Sequence, residues 1–129
     1  MIFTIPFKTP TINHLYWHRG NIKIMTKDAR DLKKEIIEII HSQQVLAPIS
    51  SKPADTYLRV EVDVYEDWHT IEGYVKKKDI ANREKFLIDC VFEGLGIDDK
   101  FIFIQTMRKV QSCEEKSVIK IEVIENWER

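Results

Sequence analysis

The stretch DIANREKFLIDCVFEGLGIDDK, residues 79–100, decides the fold of this chain. At roughly 100° per residue, its apolar positions gather on one side of a helix. These positions are Ile80, Leu87, Ile88, Val91 and Leu95. The polar residues Asn82, Lys85 and Asp89 fall on the opposite side. Two glycines, Gly94 and Gly96, predict the helix end, because glycine tolerates the left-handed conformation that terminates helices. We therefore expect an amphipathic helix that is followed directly by two carboxylates, Asp98 and Asp99.

Length and composition indicate one globular domain spanning residues 1–129. Hydrophobic residues make up 43% and charged residues 32%, which is not the composition of a disordered chain. No run approaches the roughly 18 unbroken apolar residues of a membrane span. The N-terminus lacks a signal peptide, so we expect a cytoplasmic protein. Two cysteines, Cys90 and Cys113, are too few for a disulfide framework, and we expect reduced thiols.

The remaining pattern predicts further strands and one more helix. Short strands are expected at Ile2 to Pro6 and Asn21 to Met25, a helix from the N-cap Thr26 to about Gln44, and longer strands at Tyr57 to Tyr65, Phe101 to Val110 and Ser117 to Ile124. The connections are Thr9 to Gly20 without periodicity, Ala47 to Asp55, an exposed segment Glu66 to Lys78, and a polar hairpin Gln111 to Lys116. The fold is therefore expected to be α+β, with a mixed, mostly antiparallel sheet of four to five strands and two helices on one face.

The acidic residues around the helix allow two interpretations each. Asp98 and Asp99 suit either a solvated turn or a Mg²⁺ site, since this ion needs only one or two protein carboxylates. Asp79 suits either a helix N-cap or a metal ligand. Lys85 is either an ordinary surface lysine or a functional cation. Asp89 stands four residues after Lys85, where we expect an exposed ion pair of small energetic value.

Cations cluster in two places, although the net charge of −1 does not by itself indicate a nucleic-acid partner. Lys76, Lys77 and Lys78 precede the helix, and His14, His18, Arg19 and Lys23 accompany Tyr16 and Trp17 near the N-terminus. The two aromatic residues are suited to stacking on unpaired bases or, equally, to packing within a loop. The chain has no HExxH motif, no GxSxG motif and no phosphate-binding glycine loop.

Taken together, these residues resemble the RusA family of Holliday-junction endonucleases. The family pattern is Asp-x-Asp-Asn-x-x-Lys, a further Asp on the helix, and an Asp-Asp pair after it. The chain matches at Asp79, Asn82, Lys85, Asp89, Asp98 and Asp99. Its N-terminal part is also similar to the family at Pro6, Asn13, Tyr16 and Arg19. The resemblance covers nearly the whole chain, and its specificity rests mainly on residues 79–99.

The resemblance implies a homodimeric endonuclease that resolves four-way DNA junctions by paired symmetric nicks, with Mg²⁺ as cofactor and Mn²⁺ as a substitute. It implies catalytic roles for Asp79, Lys85 and Asp99, and metal ligation by Asp79, Asp98 and Asp99. The DNA contacts it implies are Asn13, His14, Tyr16, Trp17, Arg19, Lys76, Lys77, Lys78 and Arg83. Asn82 and Asp89 are expected to support the metal ligands.

One residue departs from the family pattern: Ala81 stands where the second aspartate is usual. A methyl group cannot bind a metal, so the alternative function is a branched-DNA-binding protein with weak or lost nuclease activity. Another alternative is a small α+β interaction protein that has no DNA role.

The spacing adds a geometric constraint. In one unbroken helix, Asp79 and Asp99 would lie roughly 25 Å apart, at about 1.5 Å per residue. One ion cannot bridge that distance, so either the helix begins later, with residues 79–82 folded back, or two subunits combine. We favour a dimer, because two symmetric nicks suit a twofold assembly.

Overall fold

Two helices and six strands are formed by the residues that the structure, a computed structural model, describes: 1–10, 15–43, 56–125 and 127, without the side chains of 82–84. In chain order they are β1 (Ile2–Ile5), β2 (Tyr16–Arg19), β3 (Ile22–Met25), α1 (Lys27–Gln43), β4 (Leu58–Glu66), α2 (Ala81–Leu95), β5 (Ile102–Gln111) and β6 (Lys116–Val123). A short 3-10 turn, Asp99–Phe101, leads into β5. The predicted α+β class is confirmed.

The main sheet has the strand order β1-β6-β4-β5, and β2 pairs with β3 in a separate hairpin. Within the main sheet, β4 pairs antiparallel with β6 and parallel with β5. A parallel neighbour requires a crossover connection, and α2 supplies it. The sheet is therefore mixed, as expected. Its two edge strands are β1 and β5, and β5 is the one that α2 connects to β4.

Strand β4 places the core on one face of the sheet. Its alternate residues Leu58, Val60, Val62 and Val64 are at most 2% exposed, whereas the residues between them remain half-buried. Each such side chain contributes about 1.5–3 kcal/mol when it is fully buried. The face with the aliphatic residues packs beneath the two helices, so the alternation that predicted this strand also orients the sheet.

Both helices begin and end for identifiable reasons. The Thr26 hydroxyl accepts a hydrogen bond from the Ala29 backbone at 3.2 Å, which confirms the predicted N-cap of α1. Helix α2 ends at Gly96, whose φ of 70° is left-handed. Gly94 has a different role from the one predicted, because it lies inside α2 against α1. A Cβ atom at Gly94 would stand 3.2 Å from the Cβ of Ile40.

The predicted hairpin at Gln111 to Lys116 is wrong. β5 and β6 are not neighbours, since they lie on either side of β4. The connection therefore crosses the end of β4, where the Ser112 backbone donates to the Glu66 carbonyl at 3.0 Å. Both strands alternate in the same way whichever strand they pair with, so the sequence pattern does not distinguish a hairpin from this crossing.

Two other connections also differ from their predictions. The segment Thr9 to Gly20 contains β2, whose residues are mostly exposed on both sides and therefore show no alternation. The segment Glu66 to Lys78 is not exposed throughout, because Glu66 and Trp68 are each 2% exposed. It turns back on itself through a bridge between His69 and Val75. The predicted connection Ala47 to Asp55 lies outside the described residues.

Within the described part of the chain, neither helix has the length and apolar character needed to cross a lipid bilayer. Both cysteines are free, and Cys90 is buried whereas Cys113 is exposed.

Candidate active site

A cleft of about 660 Å³ lies between α2 and the edge strand β5. It forms because the residues of β5 that share a face with the buried residues of β4 are partly polar. Gln105 stands beside Val60 in the register, and Met107 beside Val62. The complete lining consists of Lys85, Ile88, Asp89, Asp99, Ile102, Phe103, Gln105 and Met107. Three residues of the predicted site, one cation and two carboxylates, thus meet in one cleft.

The carboxylates of Asp89 and Asp99 face the same space. Partial burial raises the pKa of Asp89, the positive charge of Lys85 lowers it, and the negative charge of Asp99 raises it further. A carboxylate whose charged form is disfavoured by burial and by a second carboxylate nearby is a favourable environment for a bound cation. Asp89 therefore contributes to the cleft itself, whereas the sequence suggested only a supporting role.

Lys85 is exposed, and the described contacts include no ion pair of 4 Å or less between it and Asp89. The predicted exposed ion pair is therefore wrong in two respects: the two side chains are not paired, and Asp89 is half-buried rather than exposed. The ammonium group influences Asp89 electrostatically without being bound to it. It is therefore available to meet an anionic ligand in the cleft.

Asp98 and Asp99 are neighbours in sequence but occupy different environments. The Asp98 side chain accepts the backbone N–H of Lys100 at 2.9 Å and caps the 3-10 turn. Asp99 is the first residue of that turn and lines the cleft. The two residues of the acid pair thus differ in position: the Asp98 carboxylate holds a turn, and Asp99 lines a cavity.

Asp79 lies at the other end of α2. Its Oδ1 accepts the backbone N–H of Ala81 at 3.0 Å, immediately before the helix begins. The structure assigns the N-cap position to Ile80 rather than to Asp79. The preceding carbonyl, that of Lys78, accepts a hydrogen bond from Lys109 Nζ at 2.6 Å, so this end of α2 lies beside the far half of β5.

The separation of Asp79 from Asp99 follows from two elements. Helix α2 has 15 residues and is about 22 Å long at 1.5 Å per residue. Along β5, the six residue steps from Phe103 to Lys109 span about 20 Å at about 3.3 Å per step. The helix is unbroken and residues 79–82 do not fold back, so one chain does not bring these two aspartates to one ion.

The cleft offers a divalent cation two carboxylate ligands, Asp89 and Asp99. The described residues contain no group of three or more His, Cys, Asp or Glu side chains that would enclose a metal. Mg²⁺ nevertheless binds proteins through one or two carboxylates and keeps several of its waters. Asp89 and Asp99 supply two such carboxylates in one cleft, and the remaining positions would be left to water, substrate or a further carboxylate.

The three lysines before α2 have unequal surroundings. Lys78 donates to Glu66 at 3.1 Å, and Lys76 lies 3.7 Å from Asp67. Glu66 is 2% exposed, so Lys78 compensates a buried charge and has a structural role. Lys77 is exposed and, among the described residues, forms no ion pair. Of the three lysines, Lys77 is the one without an ion-pair partner in the part of the chain that the structure describes.

The hairpin β2–β3 carries the predicted aromatic residues and lies near the acidic cleft. Burial raises the pKa of Tyr16, and the negative charge of Asp89 raises it further, so the phenol and this carboxylate are neighbours. Lys23 Nζ lies 4.2 Å from the centre of the Tyr16 ring. Trp17 is 46% exposed and Arg19 is exposed on the same strand. Asn13 and His14, and the side chains of Asn82 and Arg83, lie outside the described residues.

The sequence predicted strand β5 but not that its residues line the cleft. Phe103 lines the cleft and is 49% exposed, and it also packs against Tyr57 at a ring distance of 4.7 Å. Trp127 completes this aromatic cluster at 5.4 Å from Phe103. Polar residues on the inward side of β5 carried the only clue, because Gln105 and Lys109 alternate with residues of the solvent face.

Comparison with known proteins identifies the family. The family model described as Endodeoxyribonuclease RusA matches residues 6–123. The match covers most of the 129 residues, so the chain belongs to the RusA endodeoxyribonuclease family. A search of curated proteins found no match.

Proposed function

We propose that this member of the RusA family is a metal-dependent endonuclease that resolves four-way DNA junctions by paired symmetric nicks. It would act in the cytoplasm as a homodimer. The observation that carries the proposal is the convergence of Lys85, Asp89 and Asp99 on one cleft. Two carboxylates and one uncommitted ammonium group suit a site that holds a hard cation beside a phosphate.

Asp89 and Asp99 would hold Mg²⁺, for which Mn²⁺ can substitute, together with Asp79 of a second subunit. When bound, the ion supplies charge stabilisation at a phosphoryl oxygen and lowers the pKa of a coordinated water. Asp98 keeps its assignment as a ligand by resemblance alone, since one of its oxygens is engaged by the backbone of Lys100.

Lys85 would stabilise the negative charge that develops on the phosphate during hydrolysis. Its ammonium group borders the cleft and is not paired with Asp89 within 4 Å in the described structure. A preorganised cation of this kind is most effective where water is partly excluded. The catalytic residues of the proposal are therefore Lys85, Asp99 and Asp79, and we propose Asp89 as a fourth because it lines the same cleft.

The DNA backbone would be held by the cations around the cleft and bases by the exposed aromatic residues of β2. Lys77 and Arg19 are exposed cations, and Trp17 offers a half-exposed ring suited to stacking on an unpaired base. By resemblance, the contacts extend to Asn13, His14, Tyr16, Lys76, Lys78 and Arg83.

Incubation of an end-labelled synthetic four-way junction with the protein tests the function. With Mg²⁺ or Mn²⁺ we expect two nicks at symmetric positions, none with a chelator, and none on a linear duplex of the same sequence. A junction that is retarded on a native gel but stays intact with every metal would reject the enzyme and favour the alternative below. A junction that is neither bound nor cut would reject both.

The alternative function, binding of branched DNA with weak or lost cleavage, is favoured by Ala81. This residue is exposed at the first position of α2, and its backbone N–H donates a hydrogen bond to Asp79 Oδ1. Its side chain contributes no donor atom. Ala81→Asp should raise the nicking rate if a missing ligand limits it, and an unchanged rate would show that the site does not use this position.

A further inference from the structure

Residues 69–75 form a turn that exposes apolar side chains. Ile71 is 104% exposed, Tyr74 is 73% exposed and Val75 is 66% exposed. Single exposed apolar residues are common on protein surfaces and need no explanation. Three of them on one short turn form a group, and grouped exposed apolar residues indicate a surface that contacts a ligand.

Hydrogen bonds hold this turn in one shape. The Gly73 backbone donates to the Thr70 carbonyl at 2.9 Å, and the Thr70 backbone donates to the Tyr74 carbonyl at 2.7 Å. The Thr70 hydroxyl accepts the backbone N–H of Tyr74 at 3.1 Å. Gly73 adopts a left-handed φ of 89°, which glycine allows without strain. The turn is therefore preformed, so a ligand that binds it loses little affinity to ordering.

The base of the turn is fixed to the protein core. Trp68 is 2% exposed, and its indole N–H donates to the Val64 carbonyl at 3.0 Å. The Lys76 backbone donates to the Trp68 carbonyl at 2.9 Å. The Gln111 amide accepts the Trp68 backbone N–H at 2.8 Å and donates to Asp67 at 2.9 Å. The ends of β4 and β5 thus fix where the turn stands relative to the start of α2.

The charges around the turn favour DNA as the ligand. The turn leads directly into Lys76, Lys77 and Lys78, and Lys77 is exposed without an ion pair in the described part of the chain. An exposed cation attracts phosphates. Glu72, which is exposed at the tip beside Ile71, repels them. The tip therefore suits a place where the strands have separated and bases rather than phosphates are presented.

We infer that this turn inserts Ile71 and Tyr74 between bases at the branch point of a four-way junction. Apolar side chains that enter the base stack hold nucleic acid open, and an aromatic ring stacks on any base. Insertion costs least where bases are already partly unpaired. Asp79 follows the three lysines, so insertion at the branch point brings the adjoining backbone toward the proposed metal site. The inference rests on the proposed function for its substrate, but insertion does not depend on cleavage.

This contact is separate from the aromatic residues of β2. Tyr16 lies near Asp89, well inside α2, whereas the turn leads into the first residue of that helix. A protein partner fits the turn less well than DNA does. Residues 69–75 are only seven residues, and each side of a stable protein interface usually contributes roughly 20–30. Two side chains suffice for a stacking contact with bases.

Fluorescence of 2-aminopurine tests the insertion, because this base analogue becomes brighter when it is unstacked. A junction that carries the analogue at the branch point is titrated with protein in the presence of a chelator, which keeps the DNA intact. Wild-type protein should raise the fluorescence severalfold, and it should have no such effect when the analogue lies in the middle of an arm. The double variant Ile71→Ser, Tyr74→Ser should lose most of the rise and bind the junction about tenfold more weakly.

Two further variants serve as controls. Ile2→Ser removes an isoleucine that is 63% exposed on the edge strand β1, and it should behave as the wild type. Tyr74→Phe keeps the ring and should retain the rise in fluorescence. An equal rise in the wild type and the double variant would overturn the inference, as would an absent rise in the wild type or an equal loss in Ile2→Ser.

The remaining outcomes separate the insertion from the nuclease activity. A double variant that dissociates into smaller species in sedimentation but still unstacks the branch point would assign the turn to a protein contact and overturn the inference. Junction nicking by a wild type that does not unstack the branch point would overturn the insertion and leave the proposed function standing. Unstacking that depends on Ile71 and Tyr74 in a protein that never nicks would support the insertion and contradict the nuclease.

Discussion

Asp89 is the carboxylate whose surroundings differ most from an ordinary surface position. It is half-buried, it lies near Tyr16 of the β2–β3 hairpin, and it shares its cleft with Asp99. Burial raises its pKa first, and the charge of Asp99 adds to this effect. Such a carboxylate is destabilised in its charged form until a cation arrives, which is a common arrangement at functional sites.

The raised pKa has a consequence for stability. Folded protein binds the Asp89 proton more tightly than unfolded protein does, so the stabilisation from protonation is lost as pH rises through the folded pKa. Without metal at pH 7, Asp89→Asn should therefore raise Tm by about 2 °C, the shift that roughly 0.5 kcal/mol produces in a domain of this size. The gain should shrink below about pH 4, where the unfolded carboxyl is also protonated.

Differential scanning calorimetry at several pH values measures this effect. Asp31→Asn, at an exposed position on α1, is the matched control and should leave Tm nearly unchanged. A loss of stability in Asp89→Asn at pH 7 would show that the charged form makes favourable contacts in the folded state.

Asp99 and Asp98 should respond differently to substitution. Asp99→Asn should lower the nicking rate by about 100-fold or more, since even groups that only support metal ligands cost 10–100-fold. Asp98→Ser keeps a side-chain oxygen that can cap the 3-10 turn and should retain most of the rate. Both variants should still bind junctions, because phosphate contacts dominate affinity. Nicking rates from a junction assay measure the contrast. Equal losses of rate in the two variants would indicate that Asp98 is a metal ligand like Asp99.

At the scale of elements, the contact between α1 and α2 depends on Gly94. Alanine is favoured over glycine in helices by about 1 kcal/mol, but the added methyl group would lie 3.2 Å from the buried, β-branched Ile40. Overpacking of this kind typically costs about 1–3 kcal/mol. Gly94→Ala should therefore destabilise the protein, and it should cost less in an Ile40→Ala background, as urea denaturation of the four variants would show. If Gly94→Ala were more stable than the wild type, the account would be wrong, because the two helices would then move apart at no cost to make room for the methyl group.

Strong periodicity made some elements predictable from sequence. The alternation of Leu58, Val60 and Val62 predicted β4, and the apolar stripe with Gly96 predicted α2, because in both cases burial of one face dominates the pattern. β2 was missed because its side chains are mostly exposed, so it carries no such pattern. The order of β5 and β6 was missed because alternation shows which face is buried but not which strand is the neighbour.

At the scale of the whole molecule, DNA binding should depend on few of the clustered lysines. Lys77→Ala should weaken junction binding and reduce the slope of log K against log salt by about 1, the loss of one phosphate contact. Lys34→Ala on the exposed side of α1 is the matched control and should change neither. Titrations by fluorescence anisotropy at several salt concentrations measure the slope. An unchanged slope for Lys77→Ala would place the DNA elsewhere.

Lys78→Ala should behave differently again, because it leaves Glu66 with one fewer compensating cation. Its binding defect would be accompanied by lower stability, whereas that of Lys77→Ala would not.

The sequence named candidate residues but not their arrangement. The resemblance to the RusA family pointed to Asp79, Lys85 and Asp99; the structure brings Lys85 and Asp99 into one cleft and leaves Asp79 at the other end of α2. The cleft depends on the edge position of β5 and on its polar inward face, which are tertiary features. Asp89 joins the proposed site because it is partly buried beside the cleft. The helical pattern had placed this residue on the polar side of α2.

The most direct measurement mixes two inactive variants, Asp79→Asn and Asp99→Asn, and allows their subunits to exchange. In a mixed dimer, one centre receives an intact Asp99 from one chain and an intact Asp79 from the other, while the second centre carries both substitutions. The account predicts that each variant alone does not nick a junction and that the mixture regains single nicks without paired ones. A mixture as inactive as its parents, although heterodimers are present, would contradict the shared centre.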